Sequence, residues 1–215
     1  MKPLRDYRGK PIRLMESMRG SDRLAVFYPG MNYTLMGPLF SFLAQALEDS
    51  GWDVLGIDYR YHENPAFQKA AATEKDLWFA HDSESVGQWI RENTTAYRRK
   101  ALVAKSLGTA MLVHQIEKDL MEPSTDLVWL TPGTSAGRIC DVLETLPNRC
   151  LMAYGSADKY AIPVRVRKVD KRPNVKVLEV PDAKHVFEVP GDIRRTMDNV
   201  AEVVEATLAF LAEER

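Results

Sequence analysis

Cysteine, histidine and net charge are all scarce in this chain. Two cysteines, Cys140 and Cys150, occur in 215 residues. Their number and spacing exclude a disulfide framework or a cysteine-based metal site, and they read as reduced, structural residues. Four histidines, His62, His81, His114 and His185, are scattered, and none falls in a metal-ligating pattern. Lys plus Arg total 29 and Asp plus Glu total 30, a formal net charge of -1 that leaves no basic footprint for nucleic acid. The short basic clusters Arg98-Arg99-Lys100 and Arg165 to Lys168 are locally balanced and read as solvated faces. No apolar run approaches the roughly 18 residues needed to span a bilayer. Residues 1–20 are interrupted by Lys2, Arg5, Arg8, Lys10, Arg13, Glu16 and Arg19, so no secretory leader is expected there and the location is expected to be cytoplasmic. Linkers rich in Ser or Gly, internal repeats and low-complexity tracts are also absent from the sequence, and the length suits one domain over 1–215.

What is present is an alternation of short apolar runs with amphipathic stretches. Pro11 to Met15 reads as an edge strand. Leu24 to Tyr28 is continuously apolar, as expected of a strand covered on both faces, and Pro29-Gly30 ends it. A helix is expected from Pro38, with Leu39, Leu43, Ala46 and Leu47 on one face and Gly51 as its stop. Trp52 to Ile57 is the next strand, followed by a loop from Asp58 to about Ala72. Residues 74–92 look helical, with Phe79, Val86, Trp89 and Ile90 as core candidates. Further strands are expected at Ala101 to Ala104, Leu127 to Leu130, Arg149 to Tyr154 and Val175 to Val180. Helices are expected over Leu107 to Leu120, Ala136 to Leu146 and residues 163–170. A C-terminal helix carries Met197, Val200, Val204, Leu208 and Leu211 at helical spacing, with Asp192 as N-cap. This order predicts an α/β domain with a mostly parallel sheet.

In such a sheet, reactive groups belong at the carboxyl ends of the strands. The loop Ala104-Lys105-Ser106-Leu107-Gly108 lies between a buried strand and a helix, which is the setting of a nucleophile elbow. The elbow needs small residues two before and two after its serine, and Ala104 and Gly108 meet that need, although the usual pattern is G-x-S-x-G. The following helix N-terminus offers free backbone N–H groups to a developing oxyanion. The alternative is a serine that caps an ordinary helix.

These residues resemble the α/β-hydrolase family, and in particular its small members without a large lid. The resemblance runs from about Leu24 to Leu211. In that family the order is Ser, then Asp or Glu, then His. Tyr154-Gly155-Ser156-Ala157-Asp158 resembles the family's G-x-x-D segment. Pro181-Asp182-Ala183-Lys184-His185-Val186-Phe187 resembles its histidine loop. The resemblance implies a three-layer α/β-hydrolase fold with a mostly parallel central sheet flanked by helices and no large cap domain. It implies Ser106 as nucleophile, His185 as base and Asp158 as the acid that orients the base, with Asp182 as the fallback acid. Pro29-Gly30-Met31-Asn32 resembles the family's H-G-x segment, with Pro where His is usual. By that match the backbone N–H groups of Met31 and Leu107 form the oxyanion hole, and Asn32 is an alternative side-chain donor. A turn after a strand is the simpler reading of Pro29-Gly30.

The activity so implied is hydrolysis of a carboxylic ester or thioester of a small acyl substrate, with no metal or organic cofactor. An acyltransferase with the same triad, or a hydrolase-fold binding protein without catalysis, are the other readings. Tyr59 and His62, in the loop after the strand 52–57, are candidates to contact substrate, with a plain polar loop as the alternative for His62 and Glu63. Tyr59, Tyr61 and Phe67 make the same loop the candidate cover of the pocket. Lys105 reads as an outward, solvated lysine. His81 and His114 sit in expected helices and read as structural.

Overall fold

A computed structural model describes residues 3–133 and 136–213. Seven strands form one sheet: β1 (Arg13–Ser17), β2 (Arg23–Tyr28), β3 (Asp53–Asp58), β4 (Arg99–Lys105), β5 (Thr125–Leu130), β6 (Cys150–Gly155) and β7 (Val175–Val180). Their order is β1-β3-β2-β4-β5-β6-β7. Only β1 runs antiparallel, at the edge, pairing Arg13 with Asp58 and Ser17 with Val54. The remaining pairs are parallel, with β2 against β4 in the register Arg23 to Arg99 and Tyr28 to Ala104.

The continuous apolar runs are explained by the layers on each side. Successive strand residues point to opposite faces. Leu24, Val26, Tyr28, Leu102, Ala104 and Trp129 enter one core, with α3 (Ala72–Asn93), α4 (Leu107–Glu117), α5 (Ala136–Leu143) and α6 (Pro163–Val169) over them. Ala25, Phe27, Ala101, Val103, Val128 and Leu130 enter the other core, under α1 (Pro38–Asp49) and α7 (Ile193–Ala212). Covering both faces removes the strands from water, which is why their alternation is lost in the sequence.

The helices follow their local signals. Pro38 opens α1, and Gly51, at φ 79°, follows its end. Asp192 caps α7 by accepting the Arg195 N–H at 2.9 Å. The buried stripe of α7 runs through Val200, Val203, Thr207, Phe210 and Leu211. Met197, expected on that stripe, is exposed, because the buried residues of α7 begin only at Asn199 and the helix start before it lies outside the packed face. In α3 the dominant core residue is Trp78, while Phe79 and Trp89 are only partly buried.

The segment from Asp58 to Ala72 departs most from expectation. It is not an open loop over the pocket. It holds a 3₁₀ turn, Tyr61–Glu63, and a short helix α2 (Pro65–Lys69), with Asn64 Oδ1 accepting the N–H groups of Ala66 and Phe67. Tyr59, Tyr61, Phe67 and Trp78 are buried and form a ladder with ring centroids 4.9, 4.4 and 5.5 Å apart. Their aromatic area is removed from water inside the core, so they are not available as a cover. Among the described residues there is no cap domain, and no helix is long and apolar enough to cross a membrane.

Candidate active site

The sheet order places β2 between β3 and β4, so the chain leaves β2 in one direction and reaches β4 on the other side. A crevice opens at the carboxyl ends where the order reverses. The loops after β2 and β4 meet there.

Ser106 sits between β4 and α4 with φ 51° and ψ −112°, a conformation that costs a non-glycine residue about 1–3 kcal/mol. The surroundings hold it in place. Its N–H donates to Leu130 O at 3.1 Å, and its carbonyl accepts the Thr109 N–H at 3.0 Å. A Cβ at residue 108 would overlap the backbone carbonyl of Tyr28, so only glycine lets α4 pack this close to β2. The strained turn lifts the Ser106 hydroxyl out of the sheet and into a cleft.

The loops after β6 and β7 are joined by a similar close approach. A Cβ at Gly155 would overlap the carbonyl of Ala183. That carbonyl accepts the Ala157 N–H at 3.0 Å, and Ser156 Oγ accepts the Asp182 N–H at 2.8 Å. Asp158 and His185 are thereby brought together. His185 Nδ1 lies 2.7 Å from Asp158 Oδ2, and His185 Nε2 lies 2.9 Å from Ser106 Oγ. An ionised carboxylate only accepts, so Nδ1 carries the hydrogen, Nε2 is left as an acceptor, and the Ser106 hydroxyl donates to it. Burial pushes the Asp158 carboxyl up. Hydrogen bonds from His185 and from the Tyr160 N–H, with the nearby Lys105 ammonium, outweigh burial and hold it below the ordinary carboxylate range. Asp182 is exposed at φ 61° and is not the partner of His185.

The cleft in front of Ser106 encloses about 440 Å³. Met31, Asn32, Tyr33, Leu107, Tyr160 and Val186 line it beside Ser106 and His185. Leu107 is the first residue of α4, so its N–H has no acceptor within the helix. Tyr160 packs edge-on against the His185 ring at 5.1 Å. Tyr33 and Tyr160 are absent from the sequence-based candidates, since one aromatic in a loop carries no spacing signal.

Three expectations are corrected. Tyr59 does not reach the cleft: it is buried and its hydroxyl donates to Pro29 O, behind the β2 loop. His62 also lies away from the cleft lining, in the 3₁₀ turn, with Nε2 3.3 Å from Glu63 Oε1. Lys105 is not solvated; it is 0% exposed, with Nζ donating to Thr131 Oγ1 at 2.7 Å and to His185 O at 3.0 Å. Its neighbours in the loops after β5 and β7 come from distant parts of the chain, so the sequence context of residue 105 does not reveal its burial. His114 and His81 pair with Glu84 and Asp82 outside the cleft. Among the described residues, no group of three or more His, Cys, Asp and Glu is assembled to hold a metal ion.

No sequence-family model matches the chain, and no curated protein matches it by sequence. Solved structures do match. The Pyrococcus furiosus esterase Pf2001 superposes with a TM-score of 0.69 at 13% identity, covering 97% of this chain and 90% of that one. Est1E from Butyrivibrio proteoclasticus, with ferulic acid bound, gives 0.66 at 13% identity, over 99% and 100% of the two chains. XC6422 from Xanthomonas campestris, an α/β serine hydrolase without a lid, gives 0.62 at 17% identity, over 95% and 91%. The chain has the α/β-hydrolase fold. Within that fold, the loops that carry Ser106, Asp158 and His185 follow β4, β6 and β7, at the carboxyl ends of these parallel strands.

Proposed function

We propose that this α/β-hydrolase-fold protein is a serine hydrolase that cleaves a carboxylic ester or thioester of a small substrate. The observation that carries the reading is the unbroken series Asp158, His185, Ser106, with links of 2.7 and 2.9 Å, at the wall of a cleft. A lone serine hydroxyl is a poor nucleophile. His185 Nε2 takes its proton as Ser106 Oγ attacks the acyl carbon. Asp158 keeps Nδ1 protonated and stabilises the imidazolium. The N–H groups of Leu107 and Met31 face the negative charge on the tetrahedral oxygen. His185 then passes the proton to the leaving alcohol or thiol, leaving an acyl ester on Ser106. Water, deprotonated by the same imidazole, releases the acid. No step in this scheme calls for a metal or an organic cofactor.

The reading is tested with a fluorophosphonate probe followed by mass spectrometry, and with chromogenic esters of graded acyl length. Est1E binds ferulic acid, and Tyr33 and Tyr160 line the cleft here, so hydroxycinnamoyl esters belong in the panel. The adduct is expected on Ser106. Ser106→Ala is expected to lower kcat by about 10⁶-fold. Absence of an adduct on the folded protein, or a Ser106→Ala variant that keeps most of its rate, rejects the proposal.

A further inference from the structure

Lys105 is one of the largest fully buried side chains in the molecule, and the proton relay described above does not use it. Its ammonium stands where three loops converge. It donates to Thr131 Oγ1 at the end of β5, at 2.7 Å, and to the backbone carbonyl of His185 after β7, at 3.0 Å. It also lies over the ring of Tyr33, in the loop after β2, 4.7 Å from the centroid. The charged groups that face it are Asp158, from the loop after β6, and Glu188, from the loop after β7.

We propose that Lys105 is a positioning residue: its ammonium anchors the backbone of His185 and so sets the direction from which the imidazole meets Ser106. This rests on the serine-hydrolase reading for its functional meaning. The geometry supports an indirect role. Two donors are directed at protein oxygens and the cation is covered by the Tyr33 ring, so a substrate anion has no open face of the ammonium to bind.

The anchoring is needed because the histidine loop is a strained one. It contains left-handed residues at Asp182 (φ 61°) and Phe187 (φ 64°). The far side of the loop is held where Asn199 Nδ2 donates to Phe187 O at 3.1 Å and the Lys184 N–H donates to Glu188 O at 2.9 Å. Those bonds fix residues on either side of His185. Lys105 donates to the carbonyl of His185 itself, from the residue that immediately precedes the nucleophile. One side chain therefore couples the backbone of the base to the backbone of the elbow. A shift of about 1 Å between two reacting groups is enough to cost on the order of 100-fold in rate.

Lys105→Met keeps the volume of the stem and removes both donors. The expected result is a kcat lowered roughly 10- to 100-fold with KM within about two-fold, and a matching fall in the rate at which a fluorophosphonate labels Ser106. Near pH 7 the melting temperature is expected to stay close to that of the wild type, a separation that a merely structural lysine would not produce. NMR of the imidazole gives an independent readout: one set of His185 ring resonances in the wild type, and broadened or multiple sets in Lys105→Met. A wild type that neither hydrolyses esters nor labels at Ser106 rejects the hydrolase reading alone. A folded Lys105→Met with unchanged labelling and unchanged ring resonances overturns the positioning role. If Lys105→Met does not fold, Lys105→Ala offers a slot for n-propylammonium. Stimulation by that amine but not by n-propanol is expected, and equal response to both overturns the proposal.

Discussion

Replacing Lys105 by Met should alter how stability depends on pH, with a sign set by burial. The ammonium is fully buried, and desolvation lowers its pKa from 10.5 to about 8, against the raising fields of Asp158 and Glu188. In the unfolded chain the group titrates near 10.5. Below pH 8 both states carry the proton, and this lysine contributes no slope. Between pH 8 and 10.5 the unfolded chain holds a proton that the folded chain has released, so stability rises with pH. The full interval corresponds to about 3 kcal/mol, and about 2 kcal/mol of it is realised near pH 9.5. Near pH 7 the ammonium's desolvation offsets the hydrogen bonds it makes, so Lys105→Met should match the wild type within about 1 kcal/mol. Urea denaturation of both proteins near pH 7 and near pH 9.5 measures the effect. The wild type minus variant difference is expected to move by about 2 kcal/mol in favour of the wild type. Other groups that titrate in this range, including Tyr28, whose buried phenol is raised far above its ordinary value, are common to both proteins and cancel. An identical difference at the two pH values would refute the claim that burial governs this ammonium.

Asp158→Asn is expected to reduce kcat by about 10⁴-fold by removing the acceptor that fixes the His185 tautomer, with Asp182→Asn within about two-fold of wild type; kinetics of the two variants side by side check this, and a larger loss in the second reverses the assignment. Gly108→Ala should destabilise the fold by about 3 kcal/mol and abolish labelling of Ser106, because the new methyl meets the Tyr28 carbonyl, which is backbone and cannot move aside. An unchanged urea midpoint would show that the elbow tolerates a side chain there.

Much of the fold was legible before any coordinates. The runs at Leu24–Tyr28, Ala101–Ala104, Leu127–Leu130 and Val175–Val180 are strands, and Gly51 and Asp192 mark the helix ends they were expected to mark. These are local properties: side-chain periodicity, turn chemistry and capping act within a few residues of the chain. Ser106, Asp158 and His185 were nominated only through motif contexts, each a strand followed by a characteristic loop, and the structure brings the three side chains together.

The misreadings share one cause. The burial of Lys105, Tyr59 and Tyr61 depends on partners outside their own loops: Thr131 and His185 for Lys105, Pro29 for Tyr59 and Asp82 for Tyr61. A lysine is solvated unless something distant covers it, and here Thr131, Tyr33 and the carbonyl of His185 do so. A loop aromatic is a pocket cover unless a core accepts it, and Trp78 of α3 does. Sequence alone therefore determined the order of strands and helices and nominated Ser106, Asp158 and His185 as a set, because those follow from short-range chemistry. Only the tertiary structure decided what lies against what: the 2.7 and 2.9 Å links, the walls of the cleft and the buried ammonium beside it. Contacts between residues 27 and 80 positions apart are set by how the layers pack, and packing is a property of the whole chain.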